Sequence, residues 1–200
     1  VLSEEPAFNL DVKYAGETVA SKLARIREEM KEAGTNVHVV STIDDICWTL
    51  NIRGNDIDFF PLVLSYGIIT MDSFELYIDE KKLDDKLKAK LAKDGVNLHP
   101  YNDIYEDVKK FGSDVVAMID PGKLNYALFN NIPENVKTVE KRNPAILMKA
   151  IKNPVEIENI RKAQIKDSVA HVRFMKWLKE NVGKMRITEM SASDKLDEFR

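Results

Sequence analysis

The sequence predicts an α/β domain, a mixed β-sheet flanked by helices, on three observations. Short β-branched runs alternate with amphipathic helical segments from residue 13 to residue 139. Two β runs, Leu62 to Thr70 and Phe74 to Ile78, are separated by the turn residues Asp72 and Ser73, which reads as an antiparallel hairpin. Each helical segment carries a single apolar stripe, so helices on both faces of the sheet are needed to bury them all.

The elements follow in order. Residues 1–13 are polar and irregular and read as a linker. Val19, Leu23, Ile26 and Met30 recur at helical spacing in a helix from about Lys13 to Ala33, with Gly34 as its stop. Val37 to Val40 is a short buried strand. Thr42 then serves as N-cap of a helix through Trp48, with Asp44 and Asp45 in its first turn. Residues 51–56 form a loop before the hairpin. Leu83, Leu87 and Leu91 mark a helix that stops near Gly95; Val96 to Leu98 is a strand, Asp103 to Phe111 a helix and Val115 to Ile119 a strand. Asp120-Pro121-Gly122 turns the chain into a helix around Leu124 to Phe129, and Val136 to Val139 is the last strand before the Asn143-Pro144 break.

A boundary falls near Asn153-Pro154, where proline suits the first helical position. The helix it opens runs to about Asn181. Ile157, Ile160, Val172, Met175 and Leu178 form one stripe while Phe174 and Trp177 project off it, a pattern that asks for protein on more than one side. The sequence starts without Met and stops at Arg200 inside a helical run with no capping Gly or Asn, so a piece of a longer protein is expected.

Composition removes several classes. With 30 Lys and Arg against 33 Asp and Glu the formal charge is −3, and 44% of residues are hydrophobic. Disordered and collagen-like chains do not look like this. The mild acidic balance argues against nucleic acid as a partner, because phosphate binding needs clustered Lys and Arg. No apolar run approaches the ~20 residues of a membrane span, and the first residues lack the grammar of a signal peptide, so no membrane partner and an intracellular setting are expected.

The usual chemical signatures are missing: no Gly-rich phosphate loop, no paired-cysteine knuckle, no helical histidine pair, no serine elbow. Cys47, between Ile46 and Trp48, reads as a buried spectator. His38, His99 and His171 lie on separate elements and read as structural or surface residues. Asp44, Asp45, Asp56 and Asp58 could offer oxygen ligands to a hard cation, but capping and solvation explain them more simply. No metal site is expected. Arg53 stands out, in a Gly-containing loop just after the helix bearing Trp48. Its guanidinium could hold a carboxylate or a peptide carbonyl, or form an internal salt bridge with Asp56.

Four separated runs carry a family resemblance. They are Lys13-Tyr14-Ala15-Gly16-Glu17 leading into Lys22 to Arg27; Ile43 to Thr70 around Trp48-Thr49-Leu50-Asn51-Ile52-Arg53-Gly54-Asn55-Asp56; Leu147 to Asn153; and Ile187 to Ser191 through Phe199-Arg200. Together, in this order, they resemble the Xaa-Pro aminopeptidases of the creatinase/prolidase metallopeptidase family, in the long three-domain form. Phe60-Pro61 stands where the family commonly has Asn-Pro, and Gln164 where it commonly has His.

The resemblance implies a ribonuclease-H-like creatinase/prolidase N-terminal-type domain over residues 14–153. It also implies that residues 154–200 are two opening helices of a truncated pita-bread catalytic domain. It implies a cytoplasmic homodimer that removes the N-terminal residue from peptides with proline second. Two divalent cations, usually manganese, would be held by catalytic-domain segments beyond Arg200, so no catalytic or metal residue is expected here. The implied role is noncatalytic and architectural: Trp48 and Arg53 occupy the segment that would restrict substrate access and make dimer contacts. The alternatives are a stand-alone α/β binding or interaction module and, on fold analogy alone, a nuclease-like domain.

Overall fold

The computed structural model describes residues 3–200, which divide along the chain into two compact units, one through Lys152 and one from Asn153. In the first unit the order is β1 (Phe8–Asn9), α1 (Val12–Ala15), α2 (Val19–Glu32), β2 (Val37–Val40), α3 (Ile43–Leu50), β3 (Ile52–Arg53), β4 (Tyr66–Thr70) and β5 (Phe74–Tyr77). A 3₁₀ turn, Glu80–Lys82, leads to α4 (Asp85–Lys93), β6 (Val96–His99) and α5 (Ile104–Asp107), and a second, Val108–Lys110, to β7 (Val116–Ile119). α6 (Tyr126–Asn131), β8 (Lys137–Glu140) and α7 (Ala145–Ala150) complete it.

Six strands form one mixed sheet in the order β6-β5-β4-β2-β7-β8. β2 pairs antiparallel with β4 and parallel with β7; β4 and β5 form the expected hairpin. Alternate residues feed cores on opposite faces. Val40, Ile69, Phe74, Leu76 and Met118 pack with α2, α3 and α4, whereas Val37, Val39, Ile68, Ala117 and Ile119 pack with Ile104, Val108 and Leu128.

Four expectations are corrected. The segment read as a linker is packed: Ala7 is buried, its N–H donates to Lys82 O at 2.9 Å, and β1 pairs antiparallel with β3, Phe8 opposite Arg53. The helix expected from Lys13 is two helices, because Gly16 ends α1 at φ 71° and Thr18 starts α2 by accepting from the Ser21 N–H. The strand expected from Leu62 begins only at Tyr66; the Val63 N–H points to Cys47 Sγ and the Leu64 N–H to the Asp56 carboxylate. Finally, the loop expected over residues 51–56 holds the strand β3, and after the expected Asn143-Pro144 break the short α7 docks Ala145 in the core.

The second unit pairs α8 (Pro154–Asn181) with α9 (Glu189–Phe199). Asn153 and Glu156 form a capping box, with Pro154 at the first helical position. Phe174 and Trp177 stack on each other, and the Lys195 ammonium lies over Trp177 and Phe199. Ile160, Ile165, Val169, Val172 and Met175 stay exposed along α8. No helix among the described residues is long and apolar enough to cross a membrane.

Candidate functional site: the loop carried by Trp48 and Arg53

α3 is the platform. Thr42 caps it in an unusual way, donating through its hydroxyl to Asp45 Oδ2 at 2.5 Å rather than accepting a backbone N–H. The helix ends at Asn51, held at φ 53°, a conformation asparagine tolerates better than most side chains. Asn51 is fixed by its side chain: Nδ2 donates to Glu17 O, and Oδ1 accepts from the Lys22 ammonium at 2.7 Å.

Trp48 faces inward at 5% exposure, in the core cluster with Ile46 and Leu50. Arg53 is half-buried. Its Nη1 donates to the carbonyl oxygens of Cys47 and Ile52, both at 2.8 Å, so the guanidinium ties the end of α3 to β3. Arg53 Nη1 thus bonds two carbonyls of its own domain. Asp56, the alternative salt-bridge partner, bonds elsewhere, to Lys82 at 2.5 Å.

From Arg53 the chain runs into a small projecting loop, residues 54–62. Asp56 N–H donates to Leu62 O at 3.1 Å, Phe60 N–H to Ile57 O at 3.1 Å and Leu62 N–H to Phe60 O at 2.7 Å. At its tip Phe59 is 95% exposed and Phe60 62%. Phe59 also sits at φ 68°, in the left-handed region that L side chains rarely occupy. Gly54 is required at the base by space, since a Cβ there would lie 2.7 Å from Val63 Cγ2.

The other singled-out residues are held in structural networks. Burial pushes the Cys47 thiol up and makes it a poor nucleophile. His38 is buried between Met118 O (3.0 Å from Nδ1) and Asn143 Oδ1 (3.2 Å from Nε2), and burial pulls its pKa down. His99 stacks on Tyr77 and contacts Glu75 at 2.6 Å; His171 is exposed beside Asp167. Lys149 bonds both Asp44 and Asp45, at 2.7 Å to the latter. Burial opposes the charge on Lys149, yet the two carboxylates hold its pKa above the usual lysine range. Asp58 is exposed.

These carboxylates do not fit a metal: Asp44 and Asp45 neutralise a lysine, Asp56 neutralises another, and no three acidic, imidazole or thiol groups converge among the described residues. Lys22, Lys82, Asn51 and Asn143 are the site and network residues that sequence reasoning passed over. Lys22 alone left a signal, because it lies on the same helical stripe as Val19, Leu23, Ile26 and Met30.

The profile described as Creatinase/Prolidase N-terminal domain matches residues 1–156. A relative from Dictyostelium discoideum, named Xaa-Pro aminopeptidase 1, is 38% identical over 96% of this chain and 31% of its own length. One from Neurospora crassa, named a probable Xaa-Pro aminopeptidase P, is 35% identical over 98% of this chain and 30% of its own length. The chain therefore spans about a third of the curated relatives it matches. The crystal structure of a Caenorhabditis elegans X-prolyl aminopeptidase, described as a cytosolic enzyme with a di-nuclear active site, superposes with TM-score 0.91 and 32% identity, covering 98% of this chain and 33% of that one. A Bacillus anthracis Xaa-Pro dipeptidase shares the fold at TM-score 0.61 and 15% identity, over 91% of this chain and 48% of its own. With its mixed sheet and flanking helices, this chain belongs to the creatinase/prolidase N-terminal domain family.

Proposed function

We propose that this chain is a noncatalytic part of a metal-dependent Xaa-Pro aminopeptidase, which hydrolyses the N-terminal residue from peptides with proline second. Residues 14–153 form the α/β domain, and residues 154–200 open the pita-bread catalytic domain. The parent works in the cytoplasm as a homodimer, and two divalent cations, manganese, belong to its catalytic segments outside this chain; they would supply the hydroxide and polarise the scissile carbonyl. Among the described residues no three acidic, imidazole or thiol groups converge to hold such a cation.

Its role is architectural control of substrate access. Trp48 and Arg53 act as the scaffold: Trp48 anchors α3 in the core and Arg53 locks the helix end to β3. What they present is the 54–62 loop. The observation that carries the reading is the tip itself, two adjacent phenylalanines left in solvent, which marks a contact surface rather than a core. The relatives' shared description as Xaa-Pro aminopeptidases supports the choice of peptidase.

The test is Phe59→Ser with Phe60→Ser in the parent enzyme, assayed against Xaa-Pro peptides of increasing length. KM or length preference should change by about threefold or more while kcat stays within about twofold. Unchanged kinetics at every length would remove the access role from this loop. In a second arm, the isolated chain given manganese and an Xaa-Pro peptide should release no amino acid above the buffer rate.

A further inference from the structure

The tip of the 54–62 loop is closed on itself by backbone bonds such as Phe60 N–H to Ile57 O at 3.1 Å. Phe59 occupies an unfavourable left-handed backbone conformation, and its side chain touches mainly water. Those backbone bonds shape the tip; its attachment to the rest of the domain lies at its base.

At that base lies a buried ion pair. The Asp56 side chain is 1% exposed and that of Lys82 2%, with Lys82 Nζ 2.5 Å from Asp56 Oδ2. The same oxygen accepts the Leu64 N–H at 2.7 Å. One carboxylate oxygen thus joins the outgoing limb of the loop, its returning limb and the 3₁₀ turn at Glu80–Lys82. Lys82 is anchored in turn, its carbonyl accepting from Ala7 N–H and its own N–H donating to Asp79 O. The second oxygen, Asp56 Oδ1, is buried with no hydrogen-bond partner among the described residues.

That incompleteness is informative. A buried pair with an unsatisfied oxygen is a poor way to gain stability, and an apolar pair of similar volume generally does as well or better. What an ion pair does supply is register, because losing either partner leaves a charge buried without compensation.

We infer that Asp56 and Lys82 are positioning residues that preset the Phe59–Phe60 tip of the 54–62 loop, an inference that rests on the access role proposed above. Presetting spares the ordering of a mobile loop at the moment of contact, the usual route by which a small apolar tip becomes an effective anchor.

The experiment separates the lock from the access role. In the 200-residue chain, amide hydrogen exchange is followed for Lys82→Met and for the charge-free double variant Lys82→Met with Asp56→Asn, whose new amide still accepts from Leu64. The double variant keeps the test open if the single one fails to fold. Exchange at Phe60, Leu62 and Leu64 should rise at least about tenfold while Ile69 and Leu76 stay within about twofold. Unchanged loop exchange overturns the positioning role. A parallel rise in loop and core overturns it as well, by making the pair merely structural. The same double variant in the parent enzyme should raise KM with little change in kcat, and Lys82→Arg should restore most of the loss. If the loop loosens but KM does not move, the lock stands and the access role falls.

Discussion

The Lys22 ammonium lies 4.3 Å from the centroid of the Trp48 ring and donates to the Trp48 carbonyl oxygen at 2.7 Å. It therefore touches one residue twice, through the indole face and through the backbone. The carbonyl belongs to the last turn of α3, where its backbone donor, the Asn51 N–H, is as far as 3.4 Å away and the dipole favours a cation. Asn51, in its left-handed conformation, completes the arrangement by presenting Oδ1 to the same ammonium.

Lys22→Met keeps the stem and removes the charge. It leaves the Trp48 carbonyl and Asn51 Oδ1 short of a donor in a buried place, so the expected loss of stability is about 2–4 kcal/mol. Urea unfolding measures it. A loss below about 1 kcal/mol would mean that these contacts are incidental.

Gly67 is needed for close approach. A Cβ there would lie 2.6 Å from Phe74 Cζ, inside the β4–β5 hairpin, so Gly67→Ala should cost about 1–3 kcal/mol by overpacking. The same change in a Phe74→Leu background should cost less by at least about 1 kcal/mol, since the two residues share the clash. Equal costs in both backgrounds would place the strain elsewhere.

Glu75 contributes a pH dependence whose sign follows from its surroundings. Partial burial pushes its pKa up, but Ser73 at 2.5 Å, His99 at 2.6 Å and Asn97 at 2.9 Å bond the ionised form and hold it below the ordinary 4.5. A depressed carboxyl pKa stabilises the fold above the unfolded value and loses that contribution as pH falls through the folded one. Urea midpoints taken between pH 6 and pH 3 should therefore fall less for Glu75→Gln than for the native chain. Identical acid limbs would exclude the carboxylate as a source.

The exposed stripe on α8 should drive association of the isolated chain. Ile160, Ile165, Val169, Val172 and Met175 together present apolar surface worth roughly 25 cal/mol per Å² once covered. Light scattering is expected to find a dimer for residues 1–200 and a monomer for residues 1–153, a two-fold pairing being the commonest closed solution. A monomer in both cases rules out pairing through these helices.

The order of strands and helices was readable from the sequence because each element carries its own periodicity. Val37 to Val40, the hairpin about Asp72 and the stripe from Val19 to Met30 are local patterns. The projecting loop was not readable, because its fixing pair, Asp56 and Lys82, lies 26 residues apart and no local rule brings them together. Arg53 stands out in the sequence as a guanidinium beside a Gly-containing loop, but which carbonyls of its own chain it takes depends on the packing of α3 against β3. Lys22 shows the converse failure: a charged residue on an apolar stripe is ordinarily discounted, and here it serves as the helix's terminal donor.

The place of β2 in the sheet has a consequence for biosynthesis. β2, β4, β5 and β6 are all complete once residue 99 has been made, whereas the neighbour on the other side of β2 begins at Val116. On a ribosome adding roughly 5–20 residues per second, the second edge of Val37–Val40 stays vacant for roughly 1–4 s. An apolar strand edge open for that long can recruit a strand from another nascent chain. The interval before β7 emerges is thus the stage at which this domain most needs a chaperone, and slowing elongation between residues 99 and 116 should raise the aggregated fraction.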